Sequence, residues 1–301
     1  MKFSDRLSEG ACAIFLLHGV VERNRAPVRN YNRKHIELDY FRDFLIDLGA
    51  HGTSLSMDEV LEHCRAGSDF PDRSFAITFD DGFENNSTVA APVLEELGIP
   101  ATFYVTTRFI DENGMSWIDR IEAVLEDAPP GSLRLPWSPE ARSFTTSADK
   151  IALLDEIRRV VKSDPRCDTD ALAADLSARL DRPPVACGDG PLDRKMSWSM
   201  VNALSRNPLF RVGGHSHTHR IMAFLEAEEL DREVSKSLSL LAAKGGIRSV
   251  HYSYPEGLDH CYNEAVIRRL QAGGVRCCPT AVDGIIRKGA DPFKLRRIMV
   301  S

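Results

Sequence analysis

The sequence predicts an α/β fold built on a mainly parallel sheet, and three observations carry that expectation. Short apolar runs rich in strand formers recur along the chain at Ala11–Leu17, Ser74–Asp81, Ala101–Val105 and Phe210–His219. Stretches with apolar residues at helical spacing separate them. Three of the runs stop at chemically capable side chains: His18, the pair Asp80-Asp81, and His215-Ser-His-Thr-His219. Strands that alternate with helices are joined by crossovers, and crossovers join parallel strands.

The chain is long enough, at 301 residues, for one large α/β domain or two smaller ones. A net charge of −6 leaves no basic footprint for nucleic acid or an anionic membrane surface. Seven cysteines are scattered with no Cys-x-x-Cys, which reads as reduced thiols in a cytosolic protein. Met1–Glu9 is polar, and Ala11–Leu17 is too short to span a membrane. The expectation is a cytoplasmic protein with no membrane span.

Taken in order, Ala11–Leu17 is the first buried strand and ends at His18. His18 is either a satisfied histidine at a strand end or an active-site group. Residues 22–35 form a basic, Asn-rich loop. Its Arg23, Arg25, Arg29, Arg33 and Lys34 either meet an anionic group such as a phosphate or are simply solvated. Leu38–Leu48 has helical spacing, and so does Ser56–Cys64, where Ser56 and Glu59 form a capping box. A strand follows at 74–79, a helix over Ser87–Leu97, and the strand Ala101–Val105.

Residues 110–196 break the rhythm. Pro129-Pro130-Gly131 and Pro183-Pro184 punctuate them, and Ile151–Val161 and Ala171–Leu180 have helical spacing. The expectation is a single domain over 1–301 with a mostly helical insertion at about 110–196 on the active-site face. Trp117, Trp137 and Trp198 fall in or beside it, as core residues or as faces for sugar rings. The remaining elements are a helix over Glu226–Ala243, a strand over Ser249–Tyr254, a helix over Glu264–Ala272, and strands at Val275–Pro279 and Leu295–Val300.

The chemistry concentrates at two points. Adjacent carboxylates at the mouth of a buried strand raise each other's pKa, a cost that a bound cation removes. An ordinary Asp-Gly turn is the other reading. His215 and His219, four apart, bring two imidazoles to one side of a helical turn or tight loop, while His217 has the opposite phase. One Asp with two His leaves coordination positions open for water and substrate, as catalytic metal sites do.

Thr78-Phe79-Asp80-Asp81-Gly82 and His215-Ser216-His217-Thr218-His219 resemble the first two motifs of the NodB-type polysaccharide deacetylases, carbohydrate esterase family 4 and its relatives. The resemblance continues in Leu-Leu-His18-Gly-Val, in Ile99–Val105, in Ser253-Tyr-Pro-Glu-Gly257 and in Leu295-Arg-Arg-Ile298. It implies a distorted (β/α)7-type barrel. It implies Asp80 as general base, and Asp81, His215 and His219 as ligands of a divalent metal, zinc foremost, with cobalt, nickel or iron also suited. Three departures stand out. Ser253 occupies a position where many members carry Arg, Glu256 replaces Tyr after Pro255, and the Leu-x-His motif of the general acid is absent. His18 is the first candidate for that acid and His251 the second. Arg297 is the candidate to replace the missing Arg, and with Tyr254 and Pro255 it completes the substrate-binding set.

The implied function is metal-dependent removal of the N-acetyl group of an amino sugar, on a cytoplasmic glycan, lipid-linked or nucleotide-linked precursor. Two rival readings are an allantoinase-like ureide or imide hydrolase of the same family and a non-catalytic sugar-binding protein. Composition and motifs leave the oligomeric state open.

Overall fold

The computed structural model describes residues 3–183, 185, 187–248 and 250–301. The chain begins with β1 (Ala11–Leu17), β2 (Gly19–Val21), β3 (His35–Glu37), α1 (Leu38–His51), β4 (Thr53–Ser54), α2 (Met57–Ala66) and β5 (Ser74–Phe79). A π turn over Asn86–Ala90 runs into α3 (Ala91–Leu97), followed by β6 (Ala101–Val105) and α4 (Thr107–Glu112). Next come α5 (Trp117–Asp127), the hairpin β7 (Gly131–Arg134) and β8 (Ala141–Phe144), α6 (Ser147–Val161) and α7 (Thr169–Arg179). The last third holds α8 (Trp198–Arg206), β9 (Phe210–Gly214), α9 (Ala227–Gly245), α10 (Glu264–Ala272), β10 (Ile286–Arg287) and β11 (Ile298–Met299). Among the described residues, no helix is long and apolar enough to cross a membrane.

The parallel strands close on themselves. β1 pairs in parallel with β5, β5 with β6, and β6 with β9. Beyond β9 the wall thins to single parallel bridges, Gly214 to Tyr252, His251 to Cys277 and Pro279 to Leu295. β11 then returns in parallel to β1, Phe15 opposite Ile298. The staves are β1, β5, β6, β9 and the segments through Tyr252, Cys277 and β11, which is the expected distorted (β/α)7-type barrel.

The last three staves are the part least like the expectation. Of Ser249–Tyr254, Ser249 lies outside the described residues, and only His251 and Tyr252 make bridges. Val275–Pro279 is reduced to bridges at Cys277 and Pro279. Pro255 and Pro279 have no N–H to give a ladder, which limits pairing at those ends. The expected helix at Ser87–Leu97 also divides into the π turn and α3. The capping box at Ser56 and Glu59 is present, with Glu59 N 3.3 Å from Ser56 Oγ and Ser56 N 2.7 Å from Glu59 Oε2.

Strand phase decides what enters the barrel. Along β5, Phe75, Ile77 and Phe79 pack outward under the helical layer, where the Phe79 and Phe103 rings stack 5.1 Å apart. Ala76 turns the other way, joining Cys12, Ile14, Cys277 and Leu295 against α2 at the barrel's lower end. Thr78 and Asp80 share the phase of Ala76, so the strand delivers Asp80 inward at its C-terminal end. A separate apolar cluster joins α5, α6 and α7 and the β7–β8 hairpin through Ile121, Phe144, Leu154, Ile157 and Leu176.

Candidate active site

Asp80 N donates to Leu17 O at 2.9 Å, the last rung of the β1–β5 ladder. Immediately after, Asp81 adopts φ +73° and Gly82 φ +80°. This left-handed pair swings Asp81 away from the strand direction, so the two carboxylates point differently. Asp tolerates that conformation better than most residues. At Gly82 a Cβ would stand 2.9 Å from Ile110 Cδ1, so a side chain there is both strained and crowded.

The histidine loop is fastened on two sides. His215 N donates to Val105 O at 2.9 Å, and Thr106 Oγ1 donates to His215 O at 2.9 Å. From α9, the buried Glu233 Oε1 accepts from His217 N at 2.7 Å and Thr218 N at 2.6 Å. Ser216 and His219 both take positive φ, +63° and +64°, and His219 N donates to Ser216 Oγ at 2.8 Å. His217 points elsewhere, with Nδ1 2.9 Å from Thr107 Oγ1.

These two loops meet. His219 Nε2 lies 3.1 Å and His215 Nε2 3.5 Å from Asp81 Oδ1, and the three donor atoms fall within 4.8 Å of one another. His215 Nδ1 lies 2.9 Å from Ser253 O, a carbonyl that fixes the proton on that nitrogen and turns the Nε2 lone pair to the cluster. Asp81 Oδ1 is buried with no hydrogen bond aligned on it. An orphaned carboxylate oxygen beside two imidazole nitrogens fits a divalent metal of the borderline-soft kind. Asp81 Oδ2 instead faces Lys34 Nζ at 2.9 Å. Burial works against the Asp81 charge, but Lys34 and His219 outweigh it and hold its pKa well below the usual carboxylate value.

Asp80 stands beside this cluster, its Oδ2 3.9 Å from His215 Nε2. Arg297 grips it from below, Nη1 to Oδ1 at 2.9 Å and Nη2 to Oδ2 at 2.7 Å. Ser253 Oγ accepts from Arg297 Nη2 at 2.9 Å and donates to Asp80 Oδ2 at 3.2 Å. The small Ser253 thus fits between the carboxylate and the guanidinium. Burial raises the pKa of Asp80, and Arg297 more than offsets it, leaving the carboxyl below its ordinary value.

A pocket of about 200 Å3 opens over these groups, lined also by His18, Lys34, Trp117, Arg158, Lys162 and Glu256. Ser116, Trp117 and His219 continue into a cleft of about 570 Å3 toward Arg108 and Asp170. His18 is therefore at the site, but burial pulls its pKa down to about 4, so it is neutral at neutral pH. That opposes its expected role as an acid that arrives protonated. His251 is not at the site: its Nε2 lies 2.6 Å from Asp58 Oδ1, on the side of the barrel wall facing α2. Tyr254 turns away from the pocket, its hydroxyl donating to Phe293 O at 3.0 Å and its ring stacked 4.4 Å from Tyr262. Pro255 is buried behind the turn, and the residue of that motif that lines the pocket is Glu256. Arg297 has no exposed surface, so it reaches Asp80 and not the substrate space.

The basic loop does not form a phosphate cradle at the site. Arg29 pairs with Asp193, and Arg33 lies 5.0 Å over the Tyr40 ring. Arg23 and Arg25 line a different pocket with Arg194. Of the tryptophans, Trp137 Nε1 donates to Glu156 at 3.4 Å and Trp198 Nε1 to Asp111 at 2.9 Å, while Trp117 faces the pocket. Lys162, Arg158 and Glu233 escaped the sequence reading. Charged residues on amphipathic helices carry no local signal that they face a site.

The sequence pattern of the polysaccharide deacetylase family matches residues 67–278. No curated protein sequence matches the chain. Solved structures with a similar fold include the Streptococcus pyogenes deacetylase PplD in complex with acetate, at a TM-score of 0.63 and 14% identity over 97% of this chain and 93% of that one. IcaB from Ammonifex degensii has a TM-score of 0.62 and 16% identity, covering 97% and 92%. The deacetylase domain of BpsB from Bordetella bronchiseptica has a TM-score of 0.59 and 14% identity, covering 97% of each.

Proposed function

Because the chain belongs to the polysaccharide deacetylase family, we propose that it hydrolyses the N-acetyl amide of an amino sugar in a metal-dependent reaction. The observation that carries this reading is the Asp81, His215 and His219 cluster with the clamped Asp80 beside it. A divalent ion held by those three would supply Lewis acidity to the acetyl carbonyl and to a water molecule.

The chain's own residues do the rest. Asp80, kept ionised by Arg297, takes the proton of the attacking water. The water oxygen bonds to the acetyl carbon, the C–N bond breaks, and the amine leaves with a proton. His18 starts the cycle without one to give, since burial holds it neutral. The proton that Asp80 has taken is therefore the one available to the amine, directly or relayed through His18. Trp117, buried in the α5–α7 cluster, borders both pocket and cleft, and the sugar ring would lie beside it.

Arg29 and Arg33 engage Asp193 and Tyr40, Arg23 and Arg25 line another pocket, and the pocket's own Arg158 and Lys162 pair with Glu122 and Glu256, so the reading covers phosphate-bearing carriers and glycan chains alike. The test is acetate release from nucleotide-linked, lipid-linked and oligomeric N-acetyl amino sugars, with and without chelator. Acetate that requires metal and disappears in Asp80→Asn supports the reading. Metal-loaded protein that releases no acetate but opens a ureide ring would replace it with the rival hydrolase.

A further inference from the structure

We propose that Lys34 is a positioning residue of the metal centre: it takes up Asp81 Oδ2, leaving only Oδ1 for a metal ion, and α5 of the 110–196 segment holds it there through Asp119. This rests on the metal reading above.

The two oxygens of Asp81 have different neighbours. Oδ1 faces the imidazoles of His215 and His219, and Oδ2 faces Lys34 Nζ at 2.9 Å. The ammonium is also 3.3 Å from both carboxylate oxygens of Asp119, in the first turn of α5, and 4.8 Å from the centre of the Phe83 ring. With its side chain 14% exposed, Lys34 has little room to move away.

Helix α5 also shapes the loop that delivers Lys34. Asp119, Glu122 and Glu126 recur at three- and four-residue spacing and so share one face of the helix. Glu126 Oε2 accepts from Val28 N at 2.9 Å and Arg29 N at 2.8 Å, and Glu122 Oε2 accepts from Asn30 N at 3.3 Å. Asn30 then closes a ring with His35, its Oδ1 accepting from His35 N at 2.7 Å and its Nδ2 donating to His35 O at 2.8 Å. Three acids on one helix face thus hold residues 28–34, and the loop ends with an ammonium on a metal ligand.

The charge of Lys34 gives the proposal a signature. A neutral donor would hold Asp81 Oδ2 equally well without repelling a divalent ion. A cation opposes metal binding by Coulomb repulsion and also denies Asp81 two-oxygen chelation. What it preserves is open coordination for water and substrate, which catalytic sites require.

The experiment titrates the full-length chain with Co2+, following visible absorption and chelator competition, in wild type, Lys34→Met, Lys34→Arg and Asp119→Asn, alongside melting curves. Lys34→Met is expected to bind cobalt about tenfold tighter, because removing a unit cation a few ångströms from a divalent ion relieves roughly 1–2 kcal/mol of repulsion. Its visible band should weaken as Asp81 adds its second oxygen, and kcat/KM should fall. Lys34→Arg, which keeps the cation, should return the wild-type band and affinity to within a few-fold, and Asp119→Asn should lie between. Unchanged band and affinity in Lys34→Met overturn the proposal, as does weaker binding with a lowered Tm, the mark of a scaffold residue. If Lys34→Met does not fold, a wild-type band and affinity in Asp119→Asn overturn it equally. Wild-type protein that takes up no cobalt overturns the metal reading itself, an outcome distinct from the others.

Discussion

Arg297 and Asp80 form a two-pronged ion pair inside the barrel, Nη1 to Oδ1 at 2.9 Å and Nη2 to Oδ2 at 2.7 Å, with the arginine wholly enclosed. Arg297 Nε donates to Thr280 O at 2.6 Å, and Nη1 also reaches Thr78 Oγ1 at 3.2 Å. With Ser253 Oγ accepting from Nη2 at 2.9 Å, the guanidinium is held by three staves of the barrel at once. Arg297→Met would leave a buried carboxylate without its partner, at a cost to stability of about 3–5 kcal/mol. Burial alone raises the pKa of Asp80, so the acidic limb of the kcat/KM profile should move to higher pH. Arg297→Lys, which keeps charge but not the fork, should move it less. A pH–rate profile superimposable on wild type would remove Arg297 from this role.

Asp80 is outside the Asp81, His215 and His219 cluster, so the proposed base and the proposed ligands can be tested separately. Asp80→Asn should retain its divalent metal while activity falls by about 10²–10⁴. Metal content by elemental analysis, set beside acetate release, tests both halves. Loss of metal in this variant would make Asp80 a ligand.

Glu233 offers a measure of how strongly the histidine loop depends on α9. Its carboxylate takes two backbone N–H groups and the Thr218 hydroxyl. Glu233→Ala should weaken metal binding by about 10–100-fold and lower the Tm, because two half-buried backbone donors lose their acceptor. Glu233→Gln keeps a neutral acceptor oxygen and should fall between. Equal metal affinity in all three proteins would show that the α4 side holds the loop alone.

The pair Lys162–Glu256, 2.5 Å apart, ties α6 to the turn after Pro255. Burial opposes the Glu256 charge, but Lys162 and His219 bring its pKa from the ordinary 4.5 to about 2. A carboxylate depressed by folding contributes stability that is full above about pH 4.5 and is lost as the pH falls toward 2. Lys162→Met should therefore show a smaller fall of Tm between pH 6 and pH 3 than wild type. Identical slopes in the two proteins would mean that the pair contributes nothing to acid stability.

The strongest strands were legible because both their faces are buried, which makes each a short continuous apolar run. Phe75, Ile77 and Phe79 face one way and Ala76 and Thr78 the other, and that same alternation carries Asp80 inward. The staves through Tyr252 and Cys277 were legible as apolar runs but not as bridges, since proline and neighbouring loops limit their pairing. Arg297 could be named because Ser253 stands where an arginine is usual and Leu295-Arg-Arg-Ile298 supplies one in a strand. Tyr254 was misjudged for the reason that local pattern fails on turns: Glu256 and Gly257 take positive φ, +61° and +63°, and that reversal decides which side chain meets the pocket.

What the sequence by itself determined are the groups whose relation is local. These are the strand-ending carboxylates, the histidines four apart and the helix caps, all set by a few backbone angles between near neighbours. Only the tertiary structure decided which oxygen of Asp81 faces the imidazoles, which cation sits on the other, and that acids of α5 hold the loop that brings it. Those contacts join segments far apart in the chain. They depend on the closure of the barrel and on pairing every charge that closure buries, and no spacing along the chain encodes that.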